Sequence, residues 1–454
     1  MARSSVIDRA FQPVDAASIA VFRVAFGALM FVEVLRYFTH GWIARYYITS
    51  SFHFTYFGFG WLHPWPGSGM YWHFALLGVL SLVIAAGLCY RVAAPLFCAA
   101  FSYVFLLEQA RYLNHFYLIC LVSFVLGWVP AHRLWSLDAW RKDAIRSDVV
   151  PAWTLWLLRI QIGIPYFYAG VAKLNADWLA GNPLRQWLAE GTRLSIVGPL
   201  FKSEAIVLLF VYGSVAFDLL IVPLLLWPRT RRFAFGAAVL FHATNAWLFN
   251  IGIFPPLMIA ATTVFFDPAW PRQLWNRIRP AAGSRPDQEP EPHAWWSSSR
   301  IQLVALACYV ALQILIPLRH FMYPGDVSWT EEGHRFSWHM KLRDKTGDVR
   351  FLVTDTTSGE RSFVDPHIYL MGWQVEEMAT DPDMILQFCH HVAEDARAKN
   401  QRVQVRAEAL VSLNGRPPEL LIDPNVDLAG EARSLLPARW ILPLVDPVLA
   451  QAER

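Results

Sequence analysis

The feature that most constrains this chain is a series of apolar segments, each about as long as a helix that crosses a lipid bilayer. A helix needs about 20 predominantly apolar residues to span the hydrocarbon core. The candidate spans are 16–38, 70–89, 92–110, 112–129, 152–172, 205–227, 233–249, 251–267 and 301–319. Because the eighth contains Pro255-Pro256, a pattern typical of a broken or re-entrant segment, the count is eight or nine. The sequence therefore predicts a polytopic α-helical membrane bundle.

Charged residues are distributed unevenly along the chain. They make up 17% of it, against about 25% in soluble domains. The deficit lies within 16–267, whereas 320–454 has an ordinary density of Asp, Glu, Lys and Arg. We therefore predict a transmembrane helical domain with the catalytic site at 1–320 and a small water-facing domain at 321–454.

Local patterns indicate that this second domain is a β-rich α+β unit. Residues 334–364 alternate as two paired strands would, with a Thr-Ser-Gly-Glu turn between them. Residues 382–399 have the pattern of a helix. Residues 402–422 predict a hairpin around the turn at Asn414-Gly415.

Basic residues in the loops predict the orientation. With nine spans, the loops on the side of the N-terminus hold fourteen Lys and Arg residues and the opposite loops hold six. The positive-inside rule then places the N-terminus and the polar linker 280–299 in the cytoplasm and the C-terminal domain outside it. We expect a bacterial inner membrane location with a periplasmic C-terminal domain, and no cleavable signal peptide. The net charge of +3 gives no reason to expect a nucleic-acid partner.

The five cysteines show no metal-binding spacing. Four lie in apolar segments and only Cys389 lies in the polar C-terminal region. We therefore expect neither a disulfide framework nor a metal site.

Ionisable residues within apolar spans usually mark internal pairing or function. Arg23 and Asp218 carry opposite charges on different spans, and we expect them to neutralise each other. Glu33 and Arg36 lie near the end of a span, where long side chains can reach water. Lys173 has two interpretations. It extends towards water from the end of the fifth span, or it is a neutral amine in apolar surroundings that acts as a general base.

Several segments resemble, in order and spacing, the vitamin K-dependent γ-glutamyl carboxylases of the bacterial type, which carry a horizontally transferred transmembrane domain. The segment AGVAKLNADW at 169–178 resembles the active-site segment of that family, in which a lysine is the catalytic base. The other matching segments are PVDAASIAVFRVAFGALM (13–30), GLCYR (87–91), YVFLLE (103–108), NHFYL (114–118), FHATNAWLFNIGIF (241–254), DPAWPR (267–272) and HRFSWHMKLRD (334–344). The resemblance extends from about residue 13 to about residue 445 and covers both predicted domains.

The resemblance implies roles for individual residues. Lys173 corresponds to the catalytic base, and Asn114 and His115 correspond to the asparagine–histidine pair of the active site. The residues implied to bind or border the quinone are His242, Tyr166, Asn245, Trp338 and Met340. Basic residues in HMKLRDK at 339–345 stand in a different order from those of the animal enzymes. Arg343 is the candidate for binding the substrate.

The resemblance also implies a reaction. No side chain is basic enough to remove the γ-proton of glutamate. Lys173 is therefore expected to deprotonate vitamin K hydroquinone, whose oxidation by O2 to the epoxide provides a stronger base, after which CO2 adds to glutamate. The expected partners are membrane lipid, an isoprenoid quinone and a glutamate-containing peptide. Two alternatives remain open: a quinol epoxidase without carboxylation, and a non-catalytic membrane transporter or interaction protein.

Overall fold

The computed structural model describes residues 6–190, 198–249, 251–278 and 300–445, so the predicted linker 280–299 lies outside the described residues. The α-helices are α1 (Val6–Ala10), α2 (Ala17–Thr39), α3 (Gly69–Ala86), α4 (Tyr90–Leu106), α5 (Asn114–Trp128), α6 (Leu137–Arg141), α7 (Ala152–Ala172), α8 (Ala176–Leu179), α9 (Leu184–Glu190), α10 (Glu204–Leu226), α11 (Arg231–Leu248), α12 (Phe254–Thr262), α13 (Trp270–Ile278), α14 (Arg300–Leu318), α15 (Val327–Thr330), α16 (Gly372–Met378) and α17 (Pro382–Ala398). The strands are β1 (Pro13–Asp15), β2 (Val149–Pro151), β3 (Lys345–Asp355), β4 (Arg361–Val364), β5 (Val403–Leu413) and β6 (Glu419–Leu420). A π-helical turn covers Ala44–Ile48, and the 3-10 turns are Gln109–Arg111, Asp143–Ile145, Gly198–Lys202, Thr263–Phe265, Arg319–Met322, Pro366–Ile368 and Leu428–Gly430.

Each of the nine predicted spans contains a helix, but the helices differ in length. Within the described residues five are long and apolar enough to cross a membrane, namely α2, α3, α7, α10 and α14, the last continuing to Met322. Helices α4, α5 and α12 are apolar but shorter. The two prolines of the eighth segment lie in the first turn of α12, where a missing backbone N–H is tolerated. They therefore begin a short helix rather than interrupt a long one.

Arg23 does not pair with Asp218, and the predicted neutralisation between them is wrong. The fully buried Arg23 guanidinium donates to backbone carbonyls of Ala85, Ala131, Leu134 and Trp135, at 3.3, 2.8, 3.3 and 2.6 Å. These carbonyls belong to the end of α3 and the loop after α5, whereas Asp218 lies on α10. The matched GLCYR segment supplies the space for this contact. Its glycine ends α3 at a φ of 66°, and a Cβ there would lie 2.7 Å from Arg23 Nη1.

The C-terminal region forms a four-stranded antiparallel sheet in the order β4-β3-β5-β6, with α17 packed on β5. The sequence correctly predicted the β3–β4 pair, α17 and the hairpin whose turn contains Asn414 at a φ of 53°. The strand pattern assigned to 334–344 is wrong, because this stretch is irregular. Phe336 and Trp338 have positive φ values and pack on aromatic rings of the bundle, such as Tyr117. Contacts with the bundle therefore replace sheet pairing here.

Several polar contacts hold the C-terminal domain against the bundle, and two of them lie near the ends of α4 and α7. Glu108, just after α4, accepts a hydrogen bond from Gln374 Nε2 of α16 at 2.9 Å and lies 3.0 Å from His53 Nδ1. Asp177 of α8 forms a bidentate ion pair with Arg416, with N–O distances of 2.6 and 2.5 Å. Because these contacts follow α4 and α7, they place the C-terminal domain over one end of the bundle.

Candidate active site

A cavity of about 840 Å³ lies between this end of the bundle and the C-terminal domain. Its wall comes from α2, α5, α7, α10 and α11, and Met340 and Lys341 contribute to it from the C-terminal domain. Most of the lining side chains are aromatic or aliphatic. The charged ones are Glu33, Arg36, Arg111, Lys173, Asp218 and Lys341. The volume falls within the range typical of sites for small molecules.

Lys173 lies at the end of α7 and points into the bundle rather than towards water. It is 6% exposed, and its Nζ is 2.5 Å from Oδ2 of Asp218, which is 4% exposed. Both side chains line the cavity. Trp178 closes one side of the ammonium, with its ring centre 5.2 Å from Nζ. This arrangement differs from that of a lysine extending to the membrane surface.

The residues after Lys173 hold this end of α7 in place. Asn175 accepts a hydrogen bond from the backbone N–H of Trp178 at 2.9 Å and so caps α8. Asp177 binds Arg416 of the C-terminal domain, and these hydrogen bonds lower the pKa of its carboxyl group. The segment AGVAKLNADW therefore supplies a charged group at the cavity, a helix cap, a contact between domains and an aromatic wall.

Asn114 and His115 begin α5 at the cavity. The Asn114 side chain donates to the backbone carbonyl of His339 at 3.1 Å and accepts from Tyr112 Oη at 3.0 Å. Its position is therefore tied to the C-terminal domain. The His115 ring packs edge-on against Phe116, with 5.0 Å between the ring centres. No described residue forms a hydrogen bond with the His115 ring. His115 thus presents free ring nitrogens at the cavity wall.

His242 and Tyr166 form a buried pair on the same wall. The Tyr166 hydroxyl lies 2.6 Å from His242 Nε2, while Nδ1 of His242 is buried without a partner among the described residues. Asn245 lies one turn further along α11 and also lines the cavity. Beside them Phe217 and Phe241 stack with ring centres 3.9 Å apart. This part of the cavity therefore combines flat aromatic surfaces with a few polar atoms.

The structure separates the residues predicted from the C-terminal domain. Met340 lines the cavity, whereas Trp338 is 1% exposed, packs on Tyr117 and is not part of the cavity wall. Arg343 is also away from the cavity, because its guanidinium is bound to Glu331 and to the Ser328 carbonyl. The structure therefore does not bring Trp338 and Arg343 to the cavity wall.

Glu331 is the centre of this separate charged cluster. Burial alone raises the pKa of its carboxyl group, but the positive charges of Arg343 and Lys345 outweigh burial and bring the pKa well below its usual range. Arg343 therefore neutralises a buried glutamate rather than facing a ligand.

Sequence reasoning missed five charged residues of the cavity wall: Asp218 as the partner of Lys173, and Glu33, Arg36, Arg111 and Lys341. Glu33 and Arg36 pair with each other at 2.6 Å, across one turn of α2. A sequence signal existed for Lys341, since it is one of the basic residues that depart from the animal pattern. Arg111 lies three residues before Asn114, the first residue of the matched NHFYL segment. From the sequence alone it is only one of the basic residues of a loop.

The cavity also reaches the outer surface of the bundle between α10 and α11. Leu209 and Leu240 both line it, although they are 63% and 69% exposed. Gly213 lies one turn from Leu209, and a Cβ there would meet no atom within 4 Å. The surface at this opening is apolar, so it faces lipid in a membrane. Within the described residues, no group of three His, Cys, Asp or Glu side chains is arranged to hold a metal ion.

The helical bundle and its buried cavity define an integral membrane protein with a lumenal-type domain at one end. Residues 11–270 match the HTTM domain, and residues 298–447 match the vitamin K-dependent gamma-carboxylase, lumenal domain. The chain therefore belongs to the vitamin K-dependent gamma-carboxylase family. No solved structure matches the chain. Membership of this family supports a vitamin K-dependent carboxylase function in general terms.

Proposed function

We propose that this protein carboxylates the γ-carbon of a peptide glutamate and couples this reaction to the oxidation of vitamin K hydroquinone by O2. The observation that carries the proposal is the buried Lys173–Asp218 pair on the wall of an apolar cavity that is covered by the C-terminal domain. When bound, reduced vitamin K supplies, through its oxidation to the epoxide, a base strong enough to remove the γ-proton of glutamate. One hydroquinone, one O2, one CO2 and one glutamate then give one epoxide, one water and one γ-carboxyglutamate.

The cavity residues fit a naphthoquinone ring. The stacked Phe217 and Phe241 offer a flat apolar surface, and aromatic rings pack well on such surfaces. The ring nitrogens of His115 and the buried Nδ1 of His242 lack protein partners among the described residues. They are therefore available to the two oxygens at opposite ends of the ring. The opening beside Leu209 and Leu240 suits an isoprenoid tail that extends into lipid.

Lys173 and Asp218 act together as the proton acceptor. The two side chains share a short contact of 2.5 Å. The neutral amine of Lys173 would take the proton of the bound hydroquinone, and the Asp218 carboxylate would stabilise the ammonium that forms. Because Lys173 and Asp218 are only 6% and 4% exposed, this attraction is stronger than in solution.

We propose that residues 1–320 form the membrane domain, that residues 321–454 form the second domain, and that this second domain lies outside the cytoplasm of a bacterial cell. The excess of basic residues in the other set of loops supports this orientation. Reporter fusions placed after Pro280 and after Asp344 are expected to give opposite signals. Equal signals would contradict the orientation and the nine-span arrangement.

The experiment that tests the function is a product analysis of the purified protein. It is incubated with vitamin K hydroquinone, O2, bicarbonate and a glutamate-containing peptide, and mass spectrometry then measures the epoxide and the γ-carboxyglutamate. We expect both products. Epoxide without γ-carboxyglutamate in any tested peptide would support the quinol epoxidase, and the absence of both would favour a non-catalytic protein.

A further inference from the structure

We infer that Arg111 and Lys341 form an anion subsite that recognises the γ-carboxylate of the substrate glutamate. This inference rests on the proposed function and assigns its substrate recognition to residues on the cavity wall. It also replaces Arg343, the residue expected from the sequence, which is bound to Glu331 outside the cavity.

The charges on the cavity wall are unbalanced. Four cationic side chains and two carboxylates line it. Asp218 pairs with Lys173, and Glu33 pairs with Arg36. Arg111 and Lys341 form no direct ion pair with a carboxylate among the described residues, although the charge of Arg111 also acts on Glu33 and Glu377. A cavity wall with an excess of positive charge is suited to an anionic ligand.

Arg111 is the better-defined member of the subsite. Its guanidinium lies on the face of Tyr46, with the central carbon 4.0 Å from the ring centre. Tyr46 fixes the plane of the guanidinium, the Tyr37 hydroxyl lies beside it, and the buried Nε stays without a hydrogen-bond partner among the described residues. A planar guanidinium held in this way can bind a carboxylate through two parallel hydrogen bonds.

Lys341 lies at the mouth of the cavity and is supported by aromatic rings. Its Nζ is 5.2 Å from the ring centre of Trp187 and 5.5 Å from that of Phe249. The backbone has a φ of 49°, a value that residues other than glycine rarely adopt. An ammonium between two rings is positioned by cation–π attraction without being neutralised.

The spacing along α11 separates the two parts of the reaction. Lys173 lies near Phe241, with 6.0 Å from Nζ to the ring centre, whereas Lys341 lies near Phe249. Phe249 directly follows the end of α11, eight residues after Phe241, a spacing that corresponds to about 12 Å along a helix. The quinone ring can thus occupy the Lys173 end while the glutamate carboxylate lies nearer the C-terminal domain. Two unpaired cations also match the two carboxylates of the product.

The test is a binding measurement that does not depend on turnover. A fluorescently labelled glutamate peptide, and the same peptide with glutamine in place of glutamate, are titrated with the full chain in lipid nanodiscs without hydroquinone. We expect the parent to prefer the glutamate peptide. In Arg111→Gln, the Kd for this peptide should rise about tenfold, the scale of a lost charge-assisted hydrogen bond, and the Kd for the glutamine peptide should not change. Lys341→Gln should have a smaller effect, because the residue is exposed.

Arg45→Gln is the matched control. Arg45 also lies over Tyr46, 5.6 Å from the ring centre, but it is exposed and does not line the cavity. This variant should keep the parental preference. Thermal melting of each variant checks that the fold is retained, and Arg111→Lys provides a second substitution that keeps the charge and should retain part of the preference.

Two results would overturn the subsite. One is an unchanged preference for the glutamate peptide in folded Arg111→Gln and Lys341→Gln. The other is an unchanged Kd for the peptide combined with a raised KM for bicarbonate, which would assign the cations to the CO2 source. The proposed function fails separately, through the absence of both products in the parent, so the two failures are distinguishable.

Discussion

Two buried lysines of this protein, Lys173 and Lys345, have similar burial but different surroundings. Lys345 Nζ donates to the Trp329 carbonyl at 2.5 Å and to Glu331 at 3.0 Å. Burial lowers its pKa to about 8, although Glu331 opposes the shift. Lys173 has a single carboxylate partner, and the rest of its environment is the cavity. Burial and ion pairing are therefore common to both lysines, and only the adjacent cavity distinguishes the functional candidate.

The same difference separates Arg343 from Arg111. Arg343 lies within the matched segment 334–344 and was the predicted substrate-binding residue, yet its guanidinium is bound to Glu331 and to the Ser328 carbonyl. Arg111 stands in a short 3-10 turn and faces the cavity with its Nε unpaired. A charged residue within a recognisable motif is thus not necessarily a binding residue. Its partners in the folded state decide this.

The largest effect is expected from Lys173. Lys173→Ala should lower both epoxide formation and carboxylation by about 10³-fold, because both depend on the first proton transfer. Lys173→Arg should fail similarly, since a guanidinium stays protonated. The control is Lys345→Met, which should lower the thermal stability but leave the rate of the folded protein near that of the parent. An alanine variant that makes epoxide at the parental rate would remove the distinction between the two lysines.

A smaller loss is expected from Asp218. Asp218→Asn removes the charge that stabilises the protonated lysine, so the rate of epoxide formation should fall by about 10²-fold. Asp218→Glu should retain more activity because it keeps the carboxylate. The measurement is the rate of epoxide formation at saturating hydroquinone, with thermal melting to confirm the fold. Parental rates in Asp218→Asn would show that the carboxylate serves only the folded structure.

The opening between α10 and α11 predicts an effect that depends on the quinone tail. Gly213→Phe should raise the KM for a long-tailed vitamin K hydroquinone by about tenfold and affect a tailless naphthohydroquinone little, since only the tail uses the opening. Gly236→Phe is the matched control. This residue is also exposed, with open space at its Cβ, but it does not line the cavity. An equal loss with both quinols would contradict the opening as the tail path.

The smallest effect on the chemistry is expected from Glu331→Gln. It leaves Arg343 and Lys345 without their carboxylate, so the free energy of unfolding should fall by about 3 kcal/mol, while the rate of the folded protein stays near parental. The pKa of Glu331 is below its usual value of 4.5 in the folded state. Its contribution to stability is therefore complete above about pH 4.5 and is lost as the pH falls towards the folded-state pKa.

Denaturant unfolding of the parent and the variant at several pH values measures this difference. The gap between them should be largest near neutral pH and should narrow in acid. A gap that does not depend on pH would show that Glu331 contributes through packing rather than charge.

Much of the fold followed from periodicity and composition. The apolar segments, the hairpin at Asn414 and helix α17 are local features, and local sequence predicts them well. The site was predicted only in part. Lys173, Asn114, His115, Tyr166 and His242 all lie at the cavity, whereas the partner of Asp218 was wrongly assigned to Arg23.

This error has a physical cause. Two charges on different spans pair only if the helices are neighbours and the residues lie at the same depth and on facing sides. Hydropathy gives none of these three properties. Helix α7 packs directly on α10, which brings Lys173 to Asp218, while the neighbour of α2 is α3. The irregular backbone of 334–344 could not be predicted from local sequence for a related reason. The rings on which Phe336 and Trp338 pack are more than 200 positions earlier in the chain.

The ion pair between Asp177 and Arg416 has a consequence for biosynthesis. Arg416 follows Asp177 by 239 positions in the chain, although Asp177 is only four residues from Lys173. While the protein is being made, the turn after α7 exists long before the hairpin that anchors it. Nearly the whole polypeptide must therefore leave the ribosome before the end of α7 acquires its final support. A nascent chain in the membrane thus holds Lys173 without this anchor, and translation itself delays the completion of the site.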